Sequence, residues 1–257
     1  MDLQGKTALV TGSTSGIGLG IARALADRGA RLIYNGIAGD EETRAVHDDL
    51  EARSGQPALH WQADLSHGAA VLEGLRALPP VDILVNNAGI QFTAPVQDFP
   101  PDRWEAILSI NLSAAFYTIH ALLPGMNERG WGRIINLASA HALVASVQKA
   151  AYVAAKHGLL GLTKVVALEQ AGRGVTCNAL CPGWVLTPLV QQQIDARAAR
   201  EGISVQQAQH DLLLEKQPSG HFTTVEQLGE WALFLCSPAC DNVTGTALPV
   251  DGGWTAR

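Results

Sequence analysis

Short runs of apolar residues alternate along this chain with longer stretches in which apolar positions recur every three or four residues. The first pattern suits strands buried on both faces; the second suits amphipathic helices. Lys6 to Val10 reads as a first strand, followed by a helix to about Arg28. Arg31 to Asn35 is the second strand, Glu41 to Arg53 a helix and Pro57 to Trp61 the third strand. Ile83-Leu84-Val85 is a short buried strand, and Asp102-Arg103-Trp104-Glu105 reads as a capping box that opens a long helix. Arg133-Ile134-Ile135-Asn136-Leu137 is the next strand, and an Ala-rich helix then runs to about Gln170. Val175 to Leu180 is buried strand, Thr223-Thr224-Val225-Glu226 caps a last helix to about Cys236, and Thr246 to Val250 closes the series. Seven strands alternating with helices predict an α/β fold, a doubly wound parallel sheet with helices on both faces. With no repeat, low-complexity segment or linker, residues 1–257 read as one domain. Residues 190–217 are Gln-rich and follow a strand end where open α/β sheets bind ligands. They read as a small helical lid over roughly residues 188–217, or as a surface excursion.

Composition narrows the class. Apolar residues make up 47% of 257 and glycine contributes 26, which suits a packed, turn-rich sheet protein and argues against disorder. The net charge of −6 with no basic run argues against nucleic acid and against an anionic membrane surface, while leaving room for a local anion site. No signal peptide is expected, and no apolar stretch is expected to reach the ~18–20 residues of a membrane span; both point to the cytoplasm. Cys177, Cys181, Cys236 and Cys240 form two C-x3-C pairs with no histidine at a ligand spacing. They read as buried free thiols of a reducing compartment, with no metal site.

Candidate chemistry collects at the strand ends. Thr11-Gly12-Ser13-Thr14-Ser15-Gly16-Ile17-Gly18 lies between a strand and a helix, the context of a phosphate-cradling dinucleotide turn, although its spacing is G-x3-G-x-G. After the second strand the chain runs Tyr34-Asn35-Gly36-Ile37, with neither the acid that marks NAD nor the arginine that marks NADP. Without a cation for a 2′-phosphate, NAD is favoured. Asp64 could accept a hydrogen bond from an adenine amino group or cap its own turn. Small and amide residues, Asn86-Asn87-Ala88-Gly89, leave space for a cofactor, and Asn111 could bridge helices or hold a water. Ser139 ends a strand, and Lys149, Tyr152 and Lys156 fall at i, i+3 and i+7 of the helix after it. A cation beside a phenol lowers its pKa, so Tyr152 next to Lys156 is a candidate general acid and base.

Together, Thr11-Gly12-x-x-x-Gly16-x-Gly18, Asn86-Asn87-Ala88-Gly89, Asn111, Ser139, Tyr152-x-x-x-Lys156 and Pro182-Gly183 resemble the short-chain dehydrogenase/reductase family over essentially the whole chain. The resemblance implies a Rossmann-type oxidoreductase in which Ser139 orients the substrate oxygen, Tyr152 transfers the proton, Lys156 binds the nicotinamide ribose and Asn111 holds a relay water. It implies cofactor contacts from Gly12, Thr14, Ser15, Gly16, Ile17 and Gly18; from Ile37, Ala63, Asp64 and Leu65; from Asn87, Ala88 and Gly89; and from Tyr152, Lys156, Pro182, Val185 and Thr187. Gly89-Ile90-Gln91, Ser139-Ala140-His141, Lys149, Gly183-Trp184-Val185, Gln193, Glu215-Lys216-Gln217-Pro218 and the terminal Asp251 to Arg257 are similar to members that act on a small hydroxy acid. That likeness implies NAD-dependent, reversible oxidation of D-3-hydroxybutyrate to acetoacetate, as in ketone body metabolism. Gln91, His141, Lys149 and Gln193 would grip the carboxylate, with Trp184 and Trp254 near the pocket. It also implies a homotetramer in which the Tyr152 helix packs across an interface. His141 lies two residues after Ser139 and Lys149 three before Tyr152, so both should flank the reacting carbon. An NADPH-dependent 3-oxoacyl reductase is the alternative nearest in chemistry, and a non-catalytic dinucleotide sensor the most distant.

Overall fold

In the computed structural model, which describes residues 2–256 and only the backbone of Leu189, every predicted apolar run forms a strand. The strands are β1 (Thr7–Val10), β2 (Arg31–Gly36), β3 (Leu59–Gln62), β4 (Ile83–Asn86), β5 (Gly132–Leu137), β6 (Val175–Pro182) and β7 (Ala247–Val250). Met1 and Arg257, cited above as the chain start and the end of the terminal run, lie outside the described residues. All neighbouring strands pair in parallel, in one seven-stranded sheet of order β3-β2-β1-β4-β5-β6-β7. The order reverses between β1 and β4, and a crevice opens at their carboxyl ends.

The helices are α1 (Gly16–Ala26), α2 (Asp40–Ser54), α3 (Gly68–Arg76), α4 (Pro101–Leu108), α5 (Ala114–Glu128), α6 (Ala150–Glu169), α7 (Pro188–Glu201), α8 (Val205–Lys216) and α9 (Val225–Cys236). Strand alternation sorts their contacts. Ala8, Val10, Ile83 and Val85 face Ile21 and Leu25 of α1 and Leu228 and Leu235 of α9. Leu9, Leu84 and Ile134 face the other way, onto Val71 and Leu75 of α3, Ile119 and Met126 of α5 and Val166 of α6. A polar chain crosses this second layer. Asn86 Nδ2 donates to Asn136 Oδ1 (2.9 Å), Thr118 Oγ1 donates to Asn86 Oδ1 (2.6 Å), and Asn136 Nδ2 donates to Thr163 Oγ1 (2.8 Å). All four side chains are buried, and each is satisfied by the others.

Three sequence expectations are corrected, and the short helix α3 is an element the sequence reading did not include. The predicted capping box at Asp102 is absent: α4 starts at Pro101 with Pro100 as N-cap and no side-chain cap, the fixed φ of proline doing that work. Lys149 is the residue before α6, not part of its face. Residues 101–128, taken through the π-helical turn Ser109–Ser113, form a helix of 28 residues that is long and apolar enough to cross a membrane by length and composition. Scattered Ser, Thr, His and Asn had disguised it as a shorter apolar stretch. Its apolar face lies on the sheet, and a third of its most apolar window is buried. The four cysteines are buried and unpaired. Burial pushes the Cys177 and Cys236 thiols up to about 12, so these are inert packing groups.

Candidate active site

The first turn is built by its neighbours. Asn87 Nδ2 donates to the carbonyls of Thr11 and Gly12, both at 2.9 Å. Gly12 N–H donates to Asn35 Oδ1 (3.0 Å), and Asn35 Nδ2 donates onward to the carbonyls of Trp61 (2.9 Å) and Ala63 (3.2 Å). Asn35, at the strand end that often carries an acid in dinucleotide folds, is therefore a buried brace for three strand ends. A Cβ on Gly18 would stand 2.4 Å from both Asn87 Nδ2 and Gly12 O, so Gly18 makes room for Asn87 and does not face the cleft. Gly16, at φ +57°, does face it, across from Thr187. Ser15 supplies no side-chain cap to α1, which leaves first-turn N–H groups open toward the cleft. An uncapped helix start behind a glycine turn fits a pyrophosphate.

From that turn a cleft of about 710 Å³ follows the carboxyl ends of the strands. At its outer end lie Asn35, Gly36 and Ile37 with Ala63, Asp64, Leu65 and Ser66. Its floor holds Gly12, Thr14, Ser15, Gly16, Ile17, Asn87, Ala88 and Gly89, and Pro182, Val185 and Thr187 form the opposite wall. Asp64 Oδ1 accepts from Ser66 N–H (2.9 Å), the turn-capping role, and that bond holds its carboxyl below the usual range. At the inner end the cleft brings together Gln91, Ser139, His141, Lys149, Tyr152, Lys156, Trp184, Gln193 and Trp254.

Two predicted site residues lie off this cleft. One is Gly18, for the reason just given. The other is Asn111, buried in the π turn. Its Oδ1 accepts from Ile90 N–H (2.9 Å) and its Nδ2 donates to Ile90 O (3.1 Å). The expected bridge between helices is instead a clamp on the loop after β4, and both ends of the amide are engaged. Asn111 lines a cavity of about 10 Å³ beside the main cleft.

The reactive end is organised by Ser139. Its Oγ accepts from His141 N–H (3.1 Å) and lies 3.3 Å from His141 Nδ1, while His141 Nε2 lies 3.0 Å from Ser146 Oγ. The imidazole meets Tyr152 edge-on at 5.8 Å and Trp254 at 5.0 Å. Burial, then the charges of Lys149, Lys216 and His157, pull its pKa down to about 3, so it is a neutral ring. Lys149 reaches the cleft because Gln148, the one non-glycine residue at positive φ among those described (64°), turns the chain into it. The Gln148 carbonyl is held by Ala94 N–H (3.0 Å). Lys149 Nζ sits 5.3 Å from the Trp184 ring centre, and burial followed by Lys216 lowers its pKa, with no carboxylate among the influences.

The tyrosine departs from expectation. Lys156 Nζ, 5.5 Å from the Tyr152 ring centre, donates to Leu137 O (2.6 Å). Burial pushes the phenol up, against a smaller downward pull from its hydrogen bond with Ser139. The net shift is thus opposite to the predicted depression: desolvation dominates, and Lys156, directed at Leu137 O, is not among the influences on the phenol. Lys156 itself is lowered from 10.5 to about 8 by burial. Holding it charged at neutral pH costs roughly 3 kcal/mol. Lys156→Met is therefore expected to stabilise the fold at pH 7 by roughly 1–2 kcal/mol, after the loss of a donor to Leu137 O is set against it. The folded pKa lies below the unfolded one, so the cost is full below pH 8 and fades as pH rises toward 10.5. Urea unfolding of both proteins at pH 7 and pH 10 should show the gap narrowing.

Sequence reasoning missed Ser146 and Gln148, and named Lys216 and Gln217 only within a resembling run, without roles. Only the positive φ of a residue next to a candidate lysine, or the side chain of a distant helix end, reveals them.

A seven-stranded parallel sheet with a glycine-turn cleft and a Ser–Tyr–Lys set defines a dehydrogenase of the short chain class. The chain belongs to that family, whose short chain dehydrogenase model matches residues 6–198. It is 56% identical to the D-beta-hydroxybutyrate dehydrogenase of Cupriavidus necator, over 99% of this chain and 100% of that protein. It is 49% identical to the protein of the same name from Rhizobium meliloti, over 98% and 99% of the two chains. Among solved structures it matches the L-sorbose reductase of Gluconobacter frateurii, complexed with NADPH and L-sorbose, at a TM-score of 0.93 and 29% identity, covering 100% of this chain and 99% of that one.

Proposed function

We propose that this protein oxidises D-3-hydroxybutyrate to acetoacetate, reversibly, with NAD. The observation that carries the substrate class is the half-buried Lys149 beside Ser139 and Tyr152, a cation with no carboxylate partner among its influences. A small carboxylate supplies the missing charge. A β-hydroxy acid then places its alcohol carbon between Lys149 and the Ser139–Tyr152 pair.

Ser139 Oγ, already accepting from His141 N–H, retains its own hydrogen to donate to the substrate oxygen. Tyr152 Oη takes the hydroxyl proton in oxidation and returns it in reduction. Bound in the cleft, the dinucleotide supplies the hydride acceptor. Lys149, neutral His141, Gln91 and Gln193 hold the carboxylate and fix which face of the substrate carbon is presented. Lys156 belongs with the ribose end of the cofactor. The helices α7 and α8 act as a lid that closes with Trp184 and Trp254 and excludes water.

NAD rather than NADP is supported by the outer end of the cleft, where Asn35, Gly36, Ile37 and Asp64 offer a 2′-phosphate no cation. Asp40, the next acid along the chain, is bound to His60 Nδ1 at 2.6 Å. A homotetramer in the cytoplasm goes with this reading; exposed Phe116 on α5 and Val165 and Leu168 on α6, the helix that carries Tyr152, suit a subunit interface. Initial rates of NADH formation with D- and L-3-hydroxybutyrate, repeated with NADP, test the whole. Turnover of the D isomer with NAD is the expected result. Turnover only of a 3-oxoacyl thioester with NADPH would remove the carboxylate roles and leave the catalytic set standing.

A further inference from the structure

Three separate segments meet behind the substrate end of the cleft: Pro182–Trp184 after β6, the end of α8, and Asp251–Trp254 after β7. Gln217 ties them. Its side chain is buried, its Oε1 accepts from Trp184 N–H (2.8 Å) and its Nε2 donates to His221 O. A Cβ on Gly183 would meet Gln217 Oε1 at 2.5 Å and Asp251 Cα at 2.9 Å, so the segments are in close contact. The neighbour of Gln217, Lys216, is thereby set in place against the same aromatic pair that walls the pocket. Its Nζ lies 5.8 Å from the Trp254 ring centre. Trp254 stacks on Trp184 at 6.2 Å with 27° between planes, and Lys149 Nζ stands 5.3 Å from the Trp184 ring. Two lysines therefore flank one tryptophan pair, with the His141 ring edge-on to Trp254.

The geometry points to Lys216 as a further group, and a second lysine, that binds the substrate carboxylate, delivered by the carboxyl end of α8 and acting on the anion pocket beside Trp254. This rests on the reading of the cleft as a hydroxy-acid site and adds a residue to it. The charge of Lys216 is felt at both His141 and Lys149, which places it within electrostatic reach of the pocket. Mutual repulsion of Lys149 and Lys216 disfavours their approach until an anion sits between them. The anion therefore draws the end of α8 inward, and substrate binding and lid closure become one event. Two nearby carboxylates are already engaged: Asp251 accepts from Gly253 N–H (3.0 Å) and from Thr255 N–H (2.9 Å) and Oγ1 (2.7 Å), and Glu215 pairs with Arg197 at 2.8 Å. The plainer role for Lys216 is a cation in the last turn of a helix, favoured by the helix dipole.

Steady-state kinetics, and titration of acetoacetate into the NAD-bound protein, separate these roles. That complex cannot turn over, so it reads binding alone. Lys216→Gln is expected to raise KM for D-3-hydroxybutyrate and the Kd for acetoacetate about tenfold, with a smaller change in kcat. Lys216→Arg should recover most of both. Added salt should raise KM more steeply in the wild type than in the Gln variant. Arg173→Gln, the same charge change at an exposed turn before β6, should match the wild type. Unchanged KM and Kd in Lys216→Gln, or equal impairment of the Gln and Arg variants, would overturn the proposal. If the wild type fails to oxidise D-3-hydroxybutyrate but the Gln variant still loses acetoacetate affinity, the functional reading falls and Lys216 stands.

Discussion

Tyr152→Phe lowers kcat for hydroxy-acid oxidation by about 10²–10⁴-fold, the usual contribution of one positioned acid–base group. The change removes a single oxygen. The ring keeps its edge-on contact with His141, so the pocket keeps its shape. Acetoacetate should therefore still bind the NAD-bound variant with near wild-type affinity, and calorimetry beside stopped-flow NADH formation checks both halves. The raised pKa of the phenol adds a sign. Burial favours its protonated form, which serves the reducing direction at neutral pH. Oxidation needs the deprotonated form, so its rate should climb as pH rises above neutral while reduction slows. A phenylalanine variant that retained turnover, or opposite pH trends, would remove Tyr152 from proton transfer.

Lys149→Ala is the second large effect. A hydrogen bond to a charged group contributes about 1.5–3 kcal/mol, which corresponds to roughly a 10- to 150-fold rise in KM for D-3-hydroxybutyrate. NAD binding should be nearly unchanged, because Lys149 lies at the substrate end of the cleft, beyond Ser139 and Tyr152. The fold should gain slightly. Partial burial disfavours the charged form of Lys149, and the alanine variant is free of that cost. A neutral alcohol of the same length should distinguish wild type and variant poorly; equal KM values for the acid in the two proteins would place the carboxylate elsewhere.

Much of this architecture was legible from the chain because it depends on local pattern. Strands β4, β5 and β6 are buried along their whole length and read as largely apolar runs interrupted by a few polar residues. Ser139, Tyr152 and Lys156 sit at a strand end and on the next helix, where spacing alone places them. What stayed hidden depends on contacts between distant segments. Gly18 looked like a cofactor glycine because its spacing matches one, yet its neighbour is the Asn87 side chain. Asn111 was expected to bridge helices or hold a water, and its side chain instead clamps the loop after β4. The net shift of Tyr152 runs opposite to the expected one because sequence shows the nearby charge and not the burial that outweighs it. Pro100 and Pro101 opened α4 where an acidic cap was expected.

The Asn86, Asn136, Thr118 and Thr163 chain has a consequence for how the sheet assembles. Asn86 and Asn136 are direct partners in the β4–β5 register. A slip of one residue would still leave apolar side chains facing apolar side chains, since both strands are buried on both faces, so hydrophobicity gives weak guidance there. It would strand two amides in a dry interior without acceptors, at about 1–3 kcal/mol for each orphaned group. The amide pair thus acts as an alignment key for the two central strands, and through Thr118 and Thr163 it sets α5 and α6 against them. The helix bearing Tyr152 is indexed to the sheet by the same four polar residues.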